Sequence, residues 1–290
     1  MSSVPAAPAA RFTIADLAAR ARQRVPIVMA TAYDFVSGSA ADAAGVDLVL
    51  VGDSAATVML GLATTRDVSL DEMLMLTRAV RRGVSRALVV GDLPFGTYEA
   101  SDAQAVETAK RFAGIGCDLV KLEGAGSIAD RARAVIAAGV PAMGHVGLRP
   151  QQLLAGEPAR VPVRTAAAAL ELIADARALE SAGCAAIVLE AVPAAVAERL
   201  AARVRVPVIG IGAGAATAGQ VLVTYDLLGL TEGHVPRFVK QYASLKREMI
   251  DAIEQYAGDV RGHRFPEPRH TYGMDAAEVA ELDRRLGAGG

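Results

Sequence analysis

Four apolar runs in this sequence end on an acidic residue, and this feature constrains the fold more than any other. The runs are residues 49–53 (VLVGD), 88–92 (LVVGD), 119–123 (LVKLE) and 187–190 (IVLE). Short runs rich in β-branched residues are typical of parallel strands buried on both faces. An acid inside such a strand is costly to desolvate, whereas an acid at its carboxyl end can reach solvent. We therefore expect the four carboxylates to meet in one pocket.

Further apolar runs extend the pattern to eight strands that alternate with helices. The strands are predicted at 27–31, 48–52, 88–91, 119–122, 142–144, 186–189, 208–210 and 221–224. The helices are predicted at 35–44, 70–82, 101–114, 128–138, 165–182, 194–203 and 236–257, with a short turn after 214. Thr13 and Asp16 resemble a capping box, which predicts an additional helix to about residue 23. This order predicts an α/β protein with a (β/α)8 TIM barrel as a single domain and an N-terminal capping helix.

The expected domain organisation is a flexible N-terminal tail over 1–10, a catalytic barrel over 11–274 and a C-terminal tail over 275–290. A weak internal repeat at 44–53, 114–123 and 181–190 supports the barrel, because each copy runs from a helix-ending glycine through a strand to an acid. The main alternative is a doubly wound open sheet, which also alternates strands and helices.

The glycine-rich segment GIGAG at 210–214 does not favour the open sheet. It follows a late strand and lacks the spacing and the first-strand position of a dinucleotide-binding fingerprint. In a barrel, glycines after the seventh strand allow backbone amides to approach a ligand anion, while a plain tight turn is an equal alternative. We expect GIGAG to lie near the ligand.

Composition excludes several classes of function. The chain has 290 residues with 30 basic and 32 acidic side chains interspersed along it, so no nucleic-acid-binding footprint is expected. No apolar run approaches the roughly 20 residues of a membrane span, and the first ten residues do not resemble a secretion signal. Cys117 and Cys184 are the only cysteines and are expected to be small buried thiols. We expect a soluble, cytoplasmic protein that is not exported.

The strand-end residues predict a metal-assisted site. Lys121 lies two residues before Glu123 and faces the same way, and His145 follows the fifth strand. Converging acids suit a hard divalent ion such as Mg²⁺, which leaves coordination positions for substrate oxygens. The four histidines are too scattered for a zinc site, and His263 and His270 are expected at the surface. Taken singly, each acid has an alternative role as a helix cap or a lysine partner, but four at one barrel mouth favour a site.

Several motifs carry a resemblance to a known family. They are TAYD (31–34), VGDS (51–54), AVRRG (79–83), DLPF (92–95), KLEG (121–124), GHVGLRPQ (144–151), LEAVPAAVAERL (189–200), GIGAG (210–214) and GQVLVTYDLLGL (219–230). In order and spacing the chain resembles the ketopantoate hydroxymethyltransferase family over about residues 12–272. The relatives of this family in the phosphoenolpyruvate mutase and isocitrate lyase superfamily share the barrel and the metal but not these motifs.

The resemblance implies an activity and a metal site. The implied enzyme transfers a hydroxymethyl group from 5,10-methylenetetrahydrofolate to 3-methyl-2-oxobutanoate, giving 2-dehydropantoate on the route to pantothenate and coenzyme A. It implies Mg²⁺ on Asp53 and Asp92, with Glu123 completing or water-bridging the metal shell. It also implies a homo-oligomer, a decamer of stacked rings.

The resemblance also implies roles in substrate binding and proton transfer. The implied substrate-binding residues are Asp53, Ser54, Asp92, Lys121 and His145. Glu190 is the implied proton acceptor at C3 of the keto acid, with His145 beside it. A carboxylate is a suitable base for a proton next to a ketone whose oxygen is polarised by a metal.

The sequence departs from the family pattern at several places, among them Leu76, Ala218 and two longer segments. Residues 55–57 read Ala-Ala-Thr where Leu-Gly-Met is usual, and the segment 156–164 carries Pro158 and Pro162 where a glycine-rich cover is usual. We therefore expect the enolisation half-reaction to be intact and the transfer half to be weaker, because loops over a barrel mouth set substrate choice. The alternative is a metal-dependent lyase on another 2-oxo acid, or a paralogue that only binds its ligand.

Overall fold

The computed structural model describes residues 10–157, 161–231, 233 and 235–287. The chain divides into two compact units, Met1–Tyr242 and Ala243–Gly290. Within the described residues of the first unit, eight parallel strands close into a barrel in the order β1 to β8. In chain order they are Ile27–Thr31, Leu48–Val51, Leu88–Asp92, Leu119–Glu123, Ala142–Gly147, Ala186–Glu190, Val208–Ile211 and Gly219–Leu222. The predicted (β/α)8 barrel is confirmed.

Helices connect successive strands from β1 to β7, and a turn connects β7 to β8. In the described part of the first unit, α1 to α9 are Ile14–Gln23, Phe35–Ala43, Ala55–Val58, Leu70–Gly83, Asp102–Gly114, Ser127–Ala137, Ala166–Ala182, Ala194–Ala201 and Thr224–Leu227. Short 3-10 turns lie at Thr65–Asp67 and Pro150–Gln152. The second unit holds α10 at Leu245–Arg261, a 3-10 turn at Pro268–His270 and α11 at Ala276–Gly287.

The strands alternate between two cores, as parallel strands buried on both faces should. Leu48 and Leu50 belong to the apolar cluster inside the barrel, whereas Val49 and Val51 pack in the cluster between the barrel and its helices. Because of the same alternation, the residue two positions after the last inward apolar residue of a strand points into the mouth. On β3, for example, Leu88 and Val90 lie in the interior cluster and Asp92 follows them.

The predicted N-terminal capping helix is confirmed as α1. Thr13 and Asp16 form its capping box, with the Thr13 N–H and hydroxyl both donating to Asp16. Phe12 and the fully buried Leu17 join the apolar cluster of the barrel interior. The helix thus covers the amino-terminal end of the barrel, opposite the mouth that the acids occupy.

Three predicted elements differ from the structure. Strand β5 runs to Gly147, three residues beyond its predicted end at 144, so His145 lies within the strand and does not follow it. Strand β8 begins at Gly219, two residues before the predicted start at 221, and ends at Leu222. The helix predicted at 236–257 begins only at Leu245. Its first nine residues fold otherwise, since Val239 N–H donates to Pro236 and Tyr242 N–H donates to Leu227.

The predicted domain boundaries stay a prediction. Residues 1–9 of the expected N-terminal tail and 288–290 of the expected C-terminal tail lie outside the described residues, and α11 forms within the latter segment. None of the helices in the described part of the chain has both the length and the apolar character that a membrane span requires.

Candidate active site

The carboxyl ends of β2 to β6 bring the predicted site residues together. Asp92 is paired in register with Lys121, Glu123 with His145, and Gly147 with Glu190. Asp53 follows β2 after one intervening residue. Gly147 apart, these residues and Ser54 are the seven that the sequence singles out, and the fold places them around one barrel mouth.

Asp92 stands between a lysine and the backbone of Asp53. Its Oδ1 lies 2.7 Å from the Lys121 ammonium, and its Oδ2 accepts a hydrogen bond of 3.1 Å from the Asp53 N–H. Burial raises the pKa of Asp92 to about 7 despite that ammonium, and burial likewise raises the pKa of Asp53. Burial disfavours the charge of Lys121, but the attraction of Asp92, Asp53 and Glu123 outweighs it and raises the pKa of the ammonium. Lys121 therefore stays charged.

His145 lies between two carboxylates. Its Nδ1 is 3.2 Å from Glu123 Oε2 and its Nε2 is 3.2 Å from Glu190 Oε2. Burial and the Lys121 charge favour a neutral ring, but the two carboxylates outweigh them and raise the pKa of His145 to about 9. At neutral pH both ring nitrogens therefore carry protons, so the Lys121 Nζ, 3.4 Å from Nδ1, is a like-charged neighbour and not a hydrogen-bond donor.

Ser54 is joined to β1 through a buried tyrosine. Its hydroxyl lies 2.9 Å from the Tyr33 hydroxyl, which accepts a hydrogen bond of 2.9 Å from Thr31. Tyr33 is fully buried, and its burial raises its pKa, so the phenol remains protonated. This hydrogen bond to Tyr33 holds the serine hydroxyl at the edge of the mouth.

Sequence reasoning assigned no role to Tyr33, Tyr98 or Gln151. Gln151 and Tyr98 are both buried and bonded to each other, and Gln151 also bonds Asp53 and Glu123. The available signal was the position of Gln151, directly after a proline in the segment that follows the fifth strand.

The residues present fit a divalent cation held by few protein ligands. Four carboxylates, from Asp53, Asp92, Glu123 and Glu190, face two cations, from Lys121 and His145, so the cluster carries a formal charge of two minus four, or −2, when all are ionised. The buried Asp92 Oδ1 makes no hydrogen bond of good geometry despite its ion pair. Mg²⁺ commonly uses one or two carboxylates and completes its shell with water and substrate.

Glu123 is engaged otherwise. Its Oε1 accepts from the Gln151 N–H at 2.9 Å and its Oε2 contacts His145. Among the described residues, no group of three His, Cys, Asp or Glu side chains is arranged to hold a metal. Asp92 likewise has both oxygens engaged, and the division of Asp53, Asp92 and Glu123 between direct and outer ligands stays a prediction.

The glycine-rich segment follows β7 as predicted. Gly212 and Gly214 have φ of +63° and +81°, and a Cβ at Gly212 would lie 2.6 Å from Phe238. Packing and backbone conformation therefore require these glycines, and their proximity to a ligand stays a prediction. In the altered segments, Ala55 and Ala56 are fully buried, whereas residues 158–160 lie outside the described residues.

Cys184 is buried and Cys117 partly buried, both as free thiols, and burial raises the pKa of each to about 12. These protonated thiols agree with the prediction that both cysteines are small buried thiols. His263 and His270 are exposed, as expected, while His234 lies outside the described residues.

The fold and the site together define a (β/α)8-barrel enzyme with an acid-rich mouth at the carboxyl ends of its strands. The family model of ketopantoate hydroxymethyltransferase matches residues 11–268. A 3-methyl-2-oxobutanoate hydroxymethyltransferase from Oleidesulfovibrio alaskensis is 49% identical over 276 residues, which cover 95% of each chain. One from Chloroflexus aurantiacus is 48% identical over 271 residues, covering 93% of this chain and 96% of the relative. The chain belongs to the ketopantoate hydroxymethyltransferase family.

Solved structures of low sequence identity share the fold. A 2,3-dimethylmalate lyase, described as a member of the PEP mutase/isocitrate lyase superfamily, has a TM-score of 0.58 at 17% identity, covering 95% of this chain and 99% of its own. A phosphonopyruvate hydrolase in complex with oxalate and Mg²⁺ has a TM-score of 0.59 at 13% identity, covering 96% and 97%. At such identities the likeness concerns the barrel alone.

Family membership confirms the predicted enzyme class. The chain is a hydroxymethyltransferase of pantothenate biosynthesis, with 3-methyl-2-oxobutanoate as the substrate that its relatives' names carry. The expected small-molecule substrates agree with this class.

Proposed function

We propose that this enzyme uses Mg²⁺ and 5,10-methylenetetrahydrofolate to convert 3-methyl-2-oxobutanoate to 2-dehydropantoate through an enolate. Asp53 and Asp92 would hold the cation, with Glu123 in an outer position. When bound, the ion would polarise the keto oxygen of the substrate and stabilise the charge that develops there. Asp53 and Asp92 would thereby also border the substrate.

Ser54 and Lys121 bind and orient the keto acid. The Lys121 ammonium supplies a fixed positive charge beside Asp92, and the Ser54 hydroxyl, held by Tyr33, supplies a hydrogen-bond donor or acceptor. Together they would hold the carboxylate and keto group so that C3 faces Glu190. Such fixed donors cost no reorganisation during the reaction.

Glu190 is the proposed base. It takes the C3 proton, and His145, charged and 3.2 Å away, positions its carboxylate. The C3 carbon then bonds to the methylene carbon of the folate as one of the two folate C–N bonds of that carbon breaks. Water displaces the second folate nitrogen, so that its oxygen becomes the new hydroxyl group. The C3 proton and one water proton end on the two folate nitrogens, which balances the reaction as tetrahydrofolate and 2-dehydropantoate.

One observation carries this proposal. A single mouth holds a partly exposed carboxylate paired with a histidine cation, beside two buried aspartates whose pKa values burial raises. Carboxylates in unlike environments of one cleft can divide the roles of base and metal ligand between them.

The test separates the two half-reactions. With Mg²⁺ and the keto acid in D₂O, we expect exchange of the C3 hydrogen by proton NMR, and with methylenetetrahydrofolate we expect 2-dehydropantoate. Removal of the metal with excess EDTA should stop both, and added Mg²⁺ should restore them. Activity unchanged after exhaustive chelation would contradict the metal role, and exchange without any transfer would favour an enolising paralogue.

The effect of the altered segments stays a prediction. Grafting the family's residues into 156–164 should raise the rate of 2-dehydropantoate formation with little change in C3 exchange, because the substitution concerns a cover and not the keto-acid site. If the unmodified enzyme already transfers as fast as it enolises, these segments do not limit it.

A further inference from the structure

Gln151 is a buried amide in the turn that follows β5. Only 2% of its surface is exposed, whereas its neighbour Gln152 in the same Pro150–Gln152 turn is exposed. A buried amide is costly to desolvate unless its donors and acceptor are bonded. The bonds of Gln151 therefore indicate what this side chain is held in place to do.

Both amide hydrogens of Gln151 are used. Its Nε2 donates to Asp53 Oδ2 at 2.9 Å and to the Leu93 carbonyl at 3.0 Å. A charged acceptor makes the first bond the stronger of the two. The bond holds one oxygen of a carboxylate that the proposed function assigns to the cation.

Tyr98 fixes which way the amide points. The Tyr98 hydroxyl accepts a bond of 3.2 Å from the Glu123 N–H and donates one of 2.5 Å to Gln151 Oε1. A flipped amide would place its NH₂ group against this donor and its oxygen against two acceptors. The phenol therefore directs the NH₂ group to Asp53.

The backbone of Gln151 completes the link. Its N–H donates to Glu123 Oε1 at 2.9 Å, so one residue of the turn bonds two acids, one at the end of β4 and one just after β2. We infer that Gln151 is a positioning residue that orients the Asp53 carboxylate for the cation and joins the cation site to the turn after β5. This inference rests on the proposed role of Asp53 as a metal ligand.

Donors behind a metal-binding carboxylate fix its orientation and commonly change metal affinity by about 10- to 100-fold when removed. Gln151→Met keeps the size and apolar stem but removes the donor. We expect the metal-free variant to bind Mn²⁺, the probe ion, about 10- to 100-fold more weakly than the parent. Free Mn²⁺ would be counted by its electron paramagnetic resonance signal during titration.

Gln152→Met is the matched control, since it makes the same change one residue away on the exposed side of the turn. It should bind Mn²⁺ as the parent does. Tyr98→Phe removes the hydroxyl that orients the amide and should weaken Mn²⁺ binding in the same direction, by less. This second variant decides the matter if Gln151→Met does not fold by circular dichroism.

A purely structural role predicts another result. It would lower the melting temperature of Gln151→Met while the folded variant bound Mn²⁺ with the parent's affinity, and this outcome would overturn the inference. The positioning role further predicts that saturating metal restores much of kcat. If Gln151→Met weakens Mn²⁺ binding but the parent makes no 2-dehydropantoate, the proposed function fails and the inference stands. If the parent makes 2-dehydropantoate and Gln151→Met binds Mn²⁺ as the parent does, the inference fails and the proposed function stands.

Discussion

Glu190 is the most exposed of the paired acids in the mouth. Its side chain is 17% exposed, compared with 2% for Glu123 and 1% for Asp92. A base needs access to the substrate's hydrogen, whereas a metal ligand or a positioning acid can be enclosed. The difference in exposure therefore parallels the proposed difference in role.

Glu190→Gln should abolish C3 proton removal and leave keto-acid binding largely intact. The amide keeps the size of the side chain but cannot accept the proton at neutral pH, so we expect C3 exchange to fall by about 10²- to 10⁴-fold. Exchange would be followed by NMR and binding by calorimetry. Glu107→Gln, on the exposed face of α5, is the control and should match the parent. Exchange at the parent rate in Glu190→Gln would mean that another group is the base.

Residue by residue, the sequence predicted the acids better than their supports. Glu123 and Glu190 end strands, and Lys121 lies two residues before the end of β4, so a local pattern reveals them. Gln151 contacts Asp53 across 98 positions of sequence, and its position in a turn has no periodicity from which that contact could be inferred. Supporting residues are set by tertiary packing, which is why only the structure identifies them.

Among the elements, α2 is tied to the approach of β3 by one carboxylate. Asp42 accepts from the Ser85, Arg86 and Ala87 N–H groups and from the Ser85 hydroxyl. Partial burial opposes ionisation, but these donors outweigh it and lower the pKa of Asp42. Ionised Asp42 therefore stabilises the fold above the pKa of an unfolded aspartate, about 3.9, and this contribution is lost as pH falls through the lower folded pKa.

Asp42→Asn should thus destabilise the protein in a pH-dependent way. Near pH 7 we expect a loss of about 1 to 3 kcal/mol in the free energy of unfolding, because the amide places donors against donors. The loss should shrink as the pH falls below about 4, where the parent also loses the charge. Urea unfolding at several pH values measures it, with Glu107→Gln as the control. A loss that is equal at pH 7 and at pH 3 would contradict the ionic role of Asp42.

The end of β5 requires a glycine because it lies against β6. Gly147 has φ of +100°, and a Cβ there would lie 2.3 Å from the Glu190 carbonyl oxygen. Gly147→Ala should therefore displace the backbone of Glu190 as well as strain its own, costing more than about 2 kcal/mol and reducing C3 exchange.

Gly45→Ala provides the control for backbone strain alone. Gly45 has a similar φ of +86°, but an added Cβ would meet no heavy atom within 4 Å. We expect a cost of about 1 to 2 kcal/mol and unchanged exchange. Chemical unfolding and NMR exchange compare the two variants, and equal losses in both would mean that the contact with Glu190 has no effect.

Packing also explains the misplaced start of β8. Gly219 has low strand propensity, so the sequence pattern begins only at Val221. In the barrel Gly219 pairs with Ile27, and a Cβ would lie 2.3 Å from the Ile27 carbonyl oxygen. The close approach of β1 requires a glycine at 219, and the low strand propensity of this glycine is the reason why the sequence pattern misses the start of β8.

At the scale of the whole molecule, the barrel was predictable because each strand and helix repeats a local pattern. The second unit was less predictable, because α10 begins nine residues later than its sequence pattern indicates, after a segment whose backbone makes other hydrogen bonds. None of the α10 residues is buried. Four of its apolar side chains, exposed by 41% to 63%, recur at spacings of four, three and four, which is one helical stripe: Met249, Ile253, Tyr256 and Val260.

This stripe bears on the expected homo-oligomer, which stays a prediction. A 17-residue helix is marginal in water without packing against an apolar surface, so we expect the stripe to be covered when copies of the chain associate. The double variant Ile253→Glu with Tyr256→Glu should lower the mass measured by light scattering after size exclusion, because charges oppose burial in an interface. Glu254→Gln, on the same helix, should leave the mass unchanged. If the double variant keeps the parent's mass at every concentration, the stripe does not hold the assembly together.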